Sequence, residues 1–266
     1  MGYFVHAICD YAPGDLAWAE VISALYAHLP EGSHCFPTSA HSFSTIETGF
    51  ILGQLALAPQ NLRKQKTIVF ANAAPRKDRR DARDDNEGEG LVYALLNNGM
   101  PVLVVNSGFS LSFVKDEIRE LWTTKADRAG SQFRSRDYFP QIVGMLANGD
   151  LSFREEALAK DTIAQAPQNV IAYVDSFGNI KTTIRMQDAL VTDLKPGSRL
   201  RIIIGSHTKT ATLATGSFNV QEGDLAFAPG SSGQTNRFME LFARGGNAWK
   251  SFGKPTSGSE IKVAAI

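Results

Sequence analysis

The sequence predicts two domains: an α/β N-terminal domain with a mostly parallel sheet, then an all-β, barrel-like C-terminal domain. Three observations predict it. Up to about residue 150, short apolar strands alternate with helix-period runs. Beyond residue 167 the texture changes to short strand-like runs punctuated by glycine. The length of 266 residues exceeds one average domain and fits either one large domain or two unequal ones, with a substantial core.

In chain order, a strand is expected over 3–9, ending at Asp10, then a helix over 14–29 and another over 44–58. Apolar strands follow over 67–71 and 101–106, and helices over 111–121 and 138–148. In parallel sheets ligands bind beyond the carboxyl ends of strands, where Asp10, Asn72 and Asn106 fall. The boundary is expected near 162–167, giving domains 1–163 and 168–266. Strands are then expected over 169–174, 181–185, 199–205, 208–212, 224–228, 238–242 and 260–264. No internal repeat or low-complexity tract is evident, only a mild glycine and serine enrichment at 230–233.

Lysine plus arginine total 27 and aspartate plus glutamate total 27, which argues against a nucleic acid or an anionic membrane recognised by bulk charge. Residues 78–89 carry dense charge of both signs without apolar periodicity, the pattern of a solvated loop or of a lid. Cys9 and Cys35 make neither a metal-ligand spacing nor a disulfide framework, and Cys9 reads as core. The first residues lack a signal peptide's basic region and long apolar core, and no apolar run approaches the roughly 18 residues of a spanning helix. A cytoplasmic protein is the expectation.

The most distinctive stretch is Val174-Asp175-Ser176-Phe177-Gly178-Asn179-Ile180-Lys181-Thr182-Thr183. On local chemistry it is two strands joined by a Gly-Asn turn. An aromatic face beside an amide and a carboxylate also suits a small zwitterion. Three other pieces accompany it: Ala7-Ile8-Cys9-Asp10-Tyr11-Ala12-Pro13-Gly14-Asp15, then Thr67-Ile68-Val69-Phe70-Ala71-Asn72-Ala73-Ala74-Pro75-Arg76-Lys77-Asp78-Arg79-Arg80, a buried strand running into a charged loop, and Gln132-Phe133-Arg134-Ser135-Arg136-Asp137-Tyr138-Phe139-Pro140 before a helix.

In that order, the four pieces resemble the S-adenosylmethionine hydroxide adenosyltransferases, a family that includes the 5'-fluoro- and 5'-chloro-adenosine synthases. The family patterns are T-D-F-G-x-x-D, V-V-D-P-G-V-G-x-x-R, P-D-N-G, F-H-G-R-D and D-x-F-G-N-x-x-T-N, and the resemblance spans most of the chain. It implies an α/β domain and a β-barrel assembled as a homotrimer with sites between subunits, S-adenosylmethionine as substrate or ligand, and no other cofactor. It implies ribose binding at Asp10, whose other reading is a loop or capping aspartate in competition with Asp15. Asp15 and Asn106 join the substrate-binding candidates, Asn106 through Val105-Asn106-Ser107-Gly108 at the P-D-N-G position. Asp175, Phe177 and Asn179 match the element that grips methionine, with Asp175 a counter-charge for the ammonium. Ser231, Ser232 and Arg237 fall where relatives make further methionine contacts.

The water-holding constellation departs from the family. Its aspartate is Asn72 here, its arginine is retained as Arg79, and its histidine is Arg134. Asn72 cannot be an anionic acceptor and Arg134 cannot be a base. Three readings follow for Asn72, Arg79, Arg134 and Ser135: slow hydrolysis with water merely oriented, a cationic pocket for an anionic nucleophile with Ser135 at the fluorinating enzymes' serine position, or a non-catalytic binding homologue or sensor. Fluorination lacks the other halogenase residues, because Asn72-Ala73-Ala74-Pro75 holds neither tyrosine nor threonine.

Other signals are weaker. His34 and His41 are seven apart in an expected loop, so a metal site is not expected. Gly230-Ser231-Ser232-Gly233 has no assignable histidine and carboxylate for a nucleophilic serine. Gly88-Glu89-Gly90 lacks the lysine and hydroxyl of a phosphate loop. Trp18, Trp122 and Trp249 read as core or interface, with closure of an adenine pocket a second reading for Trp249.

Overall fold

The computed structural model describes residues 2–58, 65–75, 88–125 and 131–266. The chain divides into two compact units, Met1–Gln165 and Ala166–Ile266.

Unit 1 contains β1 (Tyr3–Cys9), α1 (Leu16–His28), β2 (His34–Ser39), α2 (Thr45–Ala56), β3 (Lys66–Asn72), β4 (Leu91–Leu96), β5 (Pro101–Val105), β6 (Ile118–Thr124), α3 (Arg134–Asp137), α4 (Phe139–Ala147) and β7 (Arg154–Ala157). Along β1, alternation sends Val5, Ala7 and Cys9 into one core with Trp18, Val21 and Leu25 of α1 and Phe139, Ile142 and Val143 of α4. The three α1 residues recur at helical spacing, and Asp15 caps that helix by accepting the Ala17 amide. Ser44 caps α2 by accepting the Glu47 amide.

The sheet of unit 1 has the order β2-β1-β3-β5-β4-β6-β7. Pairings β1–β2, β1–β3 and β3–β5 are parallel, whereas β4–β5, β4–β6 and β6–β7 are antiparallel. The sheet is therefore mixed, which overturns the expected α/β domain with a mostly parallel sheet. The error has a local cause. Leu111, Val114, Ile118 and Leu121 are all buried, and their intervals of three and four imitate a helix. Only a three-residue 3-10 turn, Lys115–Glu117, forms there, and from Ile118 onward the chain is strand β6. Strands β2, β4 and β7 were also not anticipated.

Unit 2 contains β8 (Ile171–Val174), β9 (Ile180–Arg185), α5 (Ala189–Thr192), β10 (Arg199–Ile204), β11 (His207–Leu213), β12 (Leu225–Pro229), β13 (Phe238–Ala243), α6 (Ala248–Ser251) and β14 (Ile261–Ala265). Its sheet, in the order β14-β10-β11-β12-β13-β9-β8, is also mixed, since β11 and β12 run parallel. The edges of this sheet meet: Val170 and Glu260 form a bridge, the Ile171 amide donates to the Ser259 carbonyl at 2.9 Å, and the Gly258 and Ile261 amides donate to the Ile171 and Asn169 carbonyls, both at 2.8 Å. The sheet therefore curls back on itself. Alternate residues, among them Ile180, Ile184, Leu200, Ile202, Met239 and Leu241, line its core.

Among the described residues no helix is long and apolar enough to cross a membrane.

Candidate functional site

The carboxyl ends of parallel neighbours β1 and β3 bring Asp10 and Asn72 together, the Asp10 amide donating to the Asn72 carbonyl at 3.2 Å. Asn72 is nearly buried, and its Nδ2 donates to Tyr11 Oη at 2.9 Å. Tyr11 Oη in turn lies 2.6 Å from Ser135 Oγ. The line Asn72–Tyr11–Ser135 thus joins two predicted residues through one that sequence reasoning passed over. Tyr11 is held by edge-to-face contacts with Trp18 and Phe133, at 5.6 and 6.1 Å between ring centres. Trp18 is core, as expected, and also donates from Nε1 to Ser39 Oγ at 3.1 Å.

Proton counting defines what this line offers. Asn72 Nδ2 can only donate, and the two hydroxyls share two protons, one of which lies in the bond between them. One O–H remains to be donated elsewhere. Burial pushes the Tyr11 phenol well above its ordinary pKa, so it stays protonated at physiological pH. The arrangement positions and donates; it supplies no base.

Ser135 reaches Tyr11 because α3 is anchored from outside. Arg136 donates to Asp137 at 2.6 Å and to Glu20 of α1 at 3.0 Å, and its guanidinium stands over Phe133. The Arg136 partner and Ser131 hold the Asp137 carboxyl below its usual pKa. In the Arg-Ser-Arg-Asp segment Arg136 and Asp137 therefore serve as struts and Ser135 faces inward. Arg134 stands over the Phe139 ring at 5.6 Å and against Gly88, where an added Cβ would lie 2.4 Å from Nη2. Arg79 and most of the charged segment 78–89 lie outside the described residues.

Asp10 Oδ2 accepts the Phe43 amide at 2.9 Å. Phe43 has φ +63° and a ring 55% exposed, so a bulky residue is held in left-handed backbone beside the predicted ribose ligand. Asp15 is the α1 cap, an exposed structural role. The Asn106 amide donates to the Gly90 carbonyl at 2.9 Å. Ser107 is buried and donates to the Ala73 carbonyl, which ties the turn after β5 to the turn after β3.

In unit 2 the distinctive stretch forms a loop that satisfies itself. Asp175 Oδ1 accepts the Phe177 and Asn179 amides, both at 3.0 Å, and Oδ2 accepts Asn179 Nδ2 at 2.9 Å. Gly178, at φ +83°, fits against Asn247, whose side chain lies 2.2 Å from where a Cβ would stand. Asn247 donates to the Phe177 carbonyl and the Trp249 amide donates to the Gly178 carbonyl, which fastens the loop to α6. Phe177 is left 77% exposed. Trp249 donates from Nε1 to the Pro255 carbonyl, so its polar edge is used inside unit 2. Ser232 is buried, and Arg237 Nη1 reaches the Gly230 carbonyl at 3.4 Å. No group of three or more histidine, cysteine, aspartate or glutamate side chains among the described residues is placed to hold a metal.

Sequence reasoning missed Tyr11, Phe43 and the Lys181–Glu240 ion pair. A signal for Tyr11 was present: it directly follows Asp10 at a strand's carboxyl end. Nothing local announced the left-handed backbone at Phe43.

Solved structures show what class of fold carries these groups. No family model matches the sequence, and no curated protein matches it. An uncharacterized conserved protein from Thermotoga maritima is similar with a TM-score of 0.75 and 16% identity, over 98% of this chain and 99% of that one. A conserved hypothetical protein from Thermus thermophilus is similar with a TM-score of 0.68 and 18% identity, over 100% of both chains. At these identities the likeness defines the fold alone.

Proposed function

We propose that this chain binds S-adenosylmethionine and hydrolyses it to adenosine and L-methionine, the attacking water being oriented by neutral groups and not activated by a base. The observation that carries the reading is the Asn72–Tyr11–Ser135 line beside Asp10, beyond the ends of parallel strands β1 and β3. In the reaction a water oxygen bonds to C5', the C5'–S bond breaks with its electron pair leaving on methionine sulfur, and a proton passes to solvent. The sulfonium is already a good leaving group, so positioning and partial desolvation are what the protein must supply. In unit 1, Asp10 holds ribose hydroxyls and Asn72 and Ser135 line the reaction pocket, with Arg79 and Arg134 the further candidates that the resemblance supplies. In unit 2, Phe177 and Asn179 hold the methionine or adenine edges. The same reading implies a cytoplasmic homotrimer, with S-adenosylmethionine as substrate and no further cofactor.

A second reading, binding without turnover, is favoured by one observation: Asn72, Tyr11 and Ser135 are already bonded to one another, which leaves a single O–H for a water or ligand. Incubation with S-adenosylmethionine, chromatography for adenosine and methionine, and calorimetry separate the two. Equal amounts of both products support hydrolysis, binding without product selects the sensor, and neither overturns the ligand assignment.

A further inference from the structure

One end of the unit 2 sheet holds a cleft that the proposed function does not use. The hairpin between β10 and β11 turns through Gly205 and Ser206, with Ile204 opposite His207. The segment leading from α6 to β14 runs beside this hairpin, and the two enclose a cleft of about 570 Å³. Cavities of that size take small organic ligands. The floor is apolar, Ile204 and Phe252 each being 2% exposed.

The walls are fixed by the backbone. An added Cβ at Gly253 would stand 2.3 Å from His207 Cε1, so the imidazole lies against bare backbone and only glycine admits it. Lys254 follows, itself left-handed at φ +60° after φ +71° at Gly253. Its amide donates to the Trp249 carbonyl and Trp249 Nε1 donates to the Pro255 carbonyl, both at 2.9 Å, which pins this wall from two sides. Glycine would be at ease at position 254, whereas lysine is strained there. Strain kept at the wall of a cleft points to a use for the side chain.

Charge indicates what that use is. Two lysines, one histidine and one carboxylate line the cleft. The carboxylate, Glu260, is countered by Lys262 at 3.5 Å. Lys254 places its ammonium 5.6 Å from the Trp249 ring centre, and among the described residues neither it nor His207 forms an ion pair. Ser206 adds a hydroxyl to one wall, and Thr256 and Ser259 add two to the other. The cleft thus offers positive charge and hydrogen-bond donors from both walls above an apolar floor.

We infer that this cleft binds a small phosphomonoester, its phosphate held by Lys254, His207 and the wall hydroxyls and its organic part seated on Ile204 and Phe252. A tetrahedral dianion accepts from several directions at once and suits the point charge of lysine. A planar carboxylate is better matched by an arginine fork, and no arginine lines the cleft. The site belongs to unit 2 alone, and the inference does not rest on the proposed function.

The test is titration of the 15N-labelled full chain with phenyl phosphate, inorganic phosphate and benzoate, followed by amide shifts. Phenyl phosphate is expected to move the Gly205, Gly253 and Thr256 amides and to bind about threefold or more tighter than either other probe. Lys254→Gly removes the ammonium while relieving the left-handed backbone. It should leave the thermal midpoint unchanged or higher and weaken phenyl phosphate about tenfold, whereas Lys195→Ala, outside the cleft, changes affinity less than about twofold. His207→Gln should weaken it as well and serves if Lys254→Gly does not fold. Shifts scattered over the surface, benzoate binding as tightly as phenyl phosphate, or a folded Lys254→Gly that binds like the parent each overturn the inference. If neither cleft variant folds, the parent decides: shifts confined to the cleft amides uphold the site, and cleft amides that stay still at millimolar phenyl phosphate overturn it.

Discussion

Tyr11 changes the chemistry available at the end of β1 more than any residue the sequence singled out. Its hydroxyl takes a proton donor from Asn72 and shares one proton with Ser135, so its removal strands two nearly buried polar groups. Tyr11→Phe should cost about 1–3 kcal/mol in urea unfolding, the range for buried groups left unpaired. It should also alter the alkaline limb of stability. Burial raises the folded pKa of Tyr11 above its unfolded value, so its contribution is fully present below the unfolded pKa and is lost as pH rises through the folded one. Unfolding measured from neutral to strongly alkaline pH should fall less steeply in Tyr11→Phe than in the parent. Phe43 offers a converse test. With φ +63° it sits where glycine is at ease, and Phe43→Gly should leave stability unchanged or raise it by up to about 1 kcal/mol, despite the loss of a half-exposed ring. Of the residues that meet at this site, Asp10 and Asn72 were legible as strand ends, whereas Ser135 stood out only through the family resemblance of its segment. Phe43 was not, because Asp10 reaches it across 33 positions of sequence and no local pattern encodes that bond.

At the scale of elements, what could be read was periodicity, and it failed where two periods coincide. The run from Leu111 to Leu121 spaces its buried residues as a helix would, yet β4 needs a second neighbour and Ile118–Thr124 supplies it. The hairpin between β8 and β9 was legible for a sturdier reason, since Asp, Gly and Asn each have a specific turn chemistry. Gly178→Ala tests that loop directly. It introduces a side chain at φ +83° and into the Asn247 amide, and should destabilise the protein by about 2 kcal/mol or more, read as a lowered denaturant midpoint with an unchanged slope. The edges of the unit 1 sheet show another element-level device. β2 carries Pro37 and β7 reads Arg-Glu-Glu-Ala, so one edge lacks a donor and the other is charged, and both resist adding a strand.

Across the whole molecule, the formal charges cancel, 27 against 27, so little net repulsion keeps copies apart near neutrality. Light scattering should therefore find the strongest attraction between molecules close to pH 7, weakening on either side while the fold persists. The division into two units with separate cores was visible in the change of texture after the last helix of unit 1. The mixed character of both sheets was not, because strand direction depends on partners far along the chain. One consequence of the Asp175 loop belongs to time and not to structure. A segment whose amides, amide side chain and carboxylate are already joined has no ordering left to do when a molecule arrives at Phe177. Encounters there should be limited by diffusion and orientation, with a rate that rises in simple proportion to ligand concentration and reaches no plateau set by loop closure.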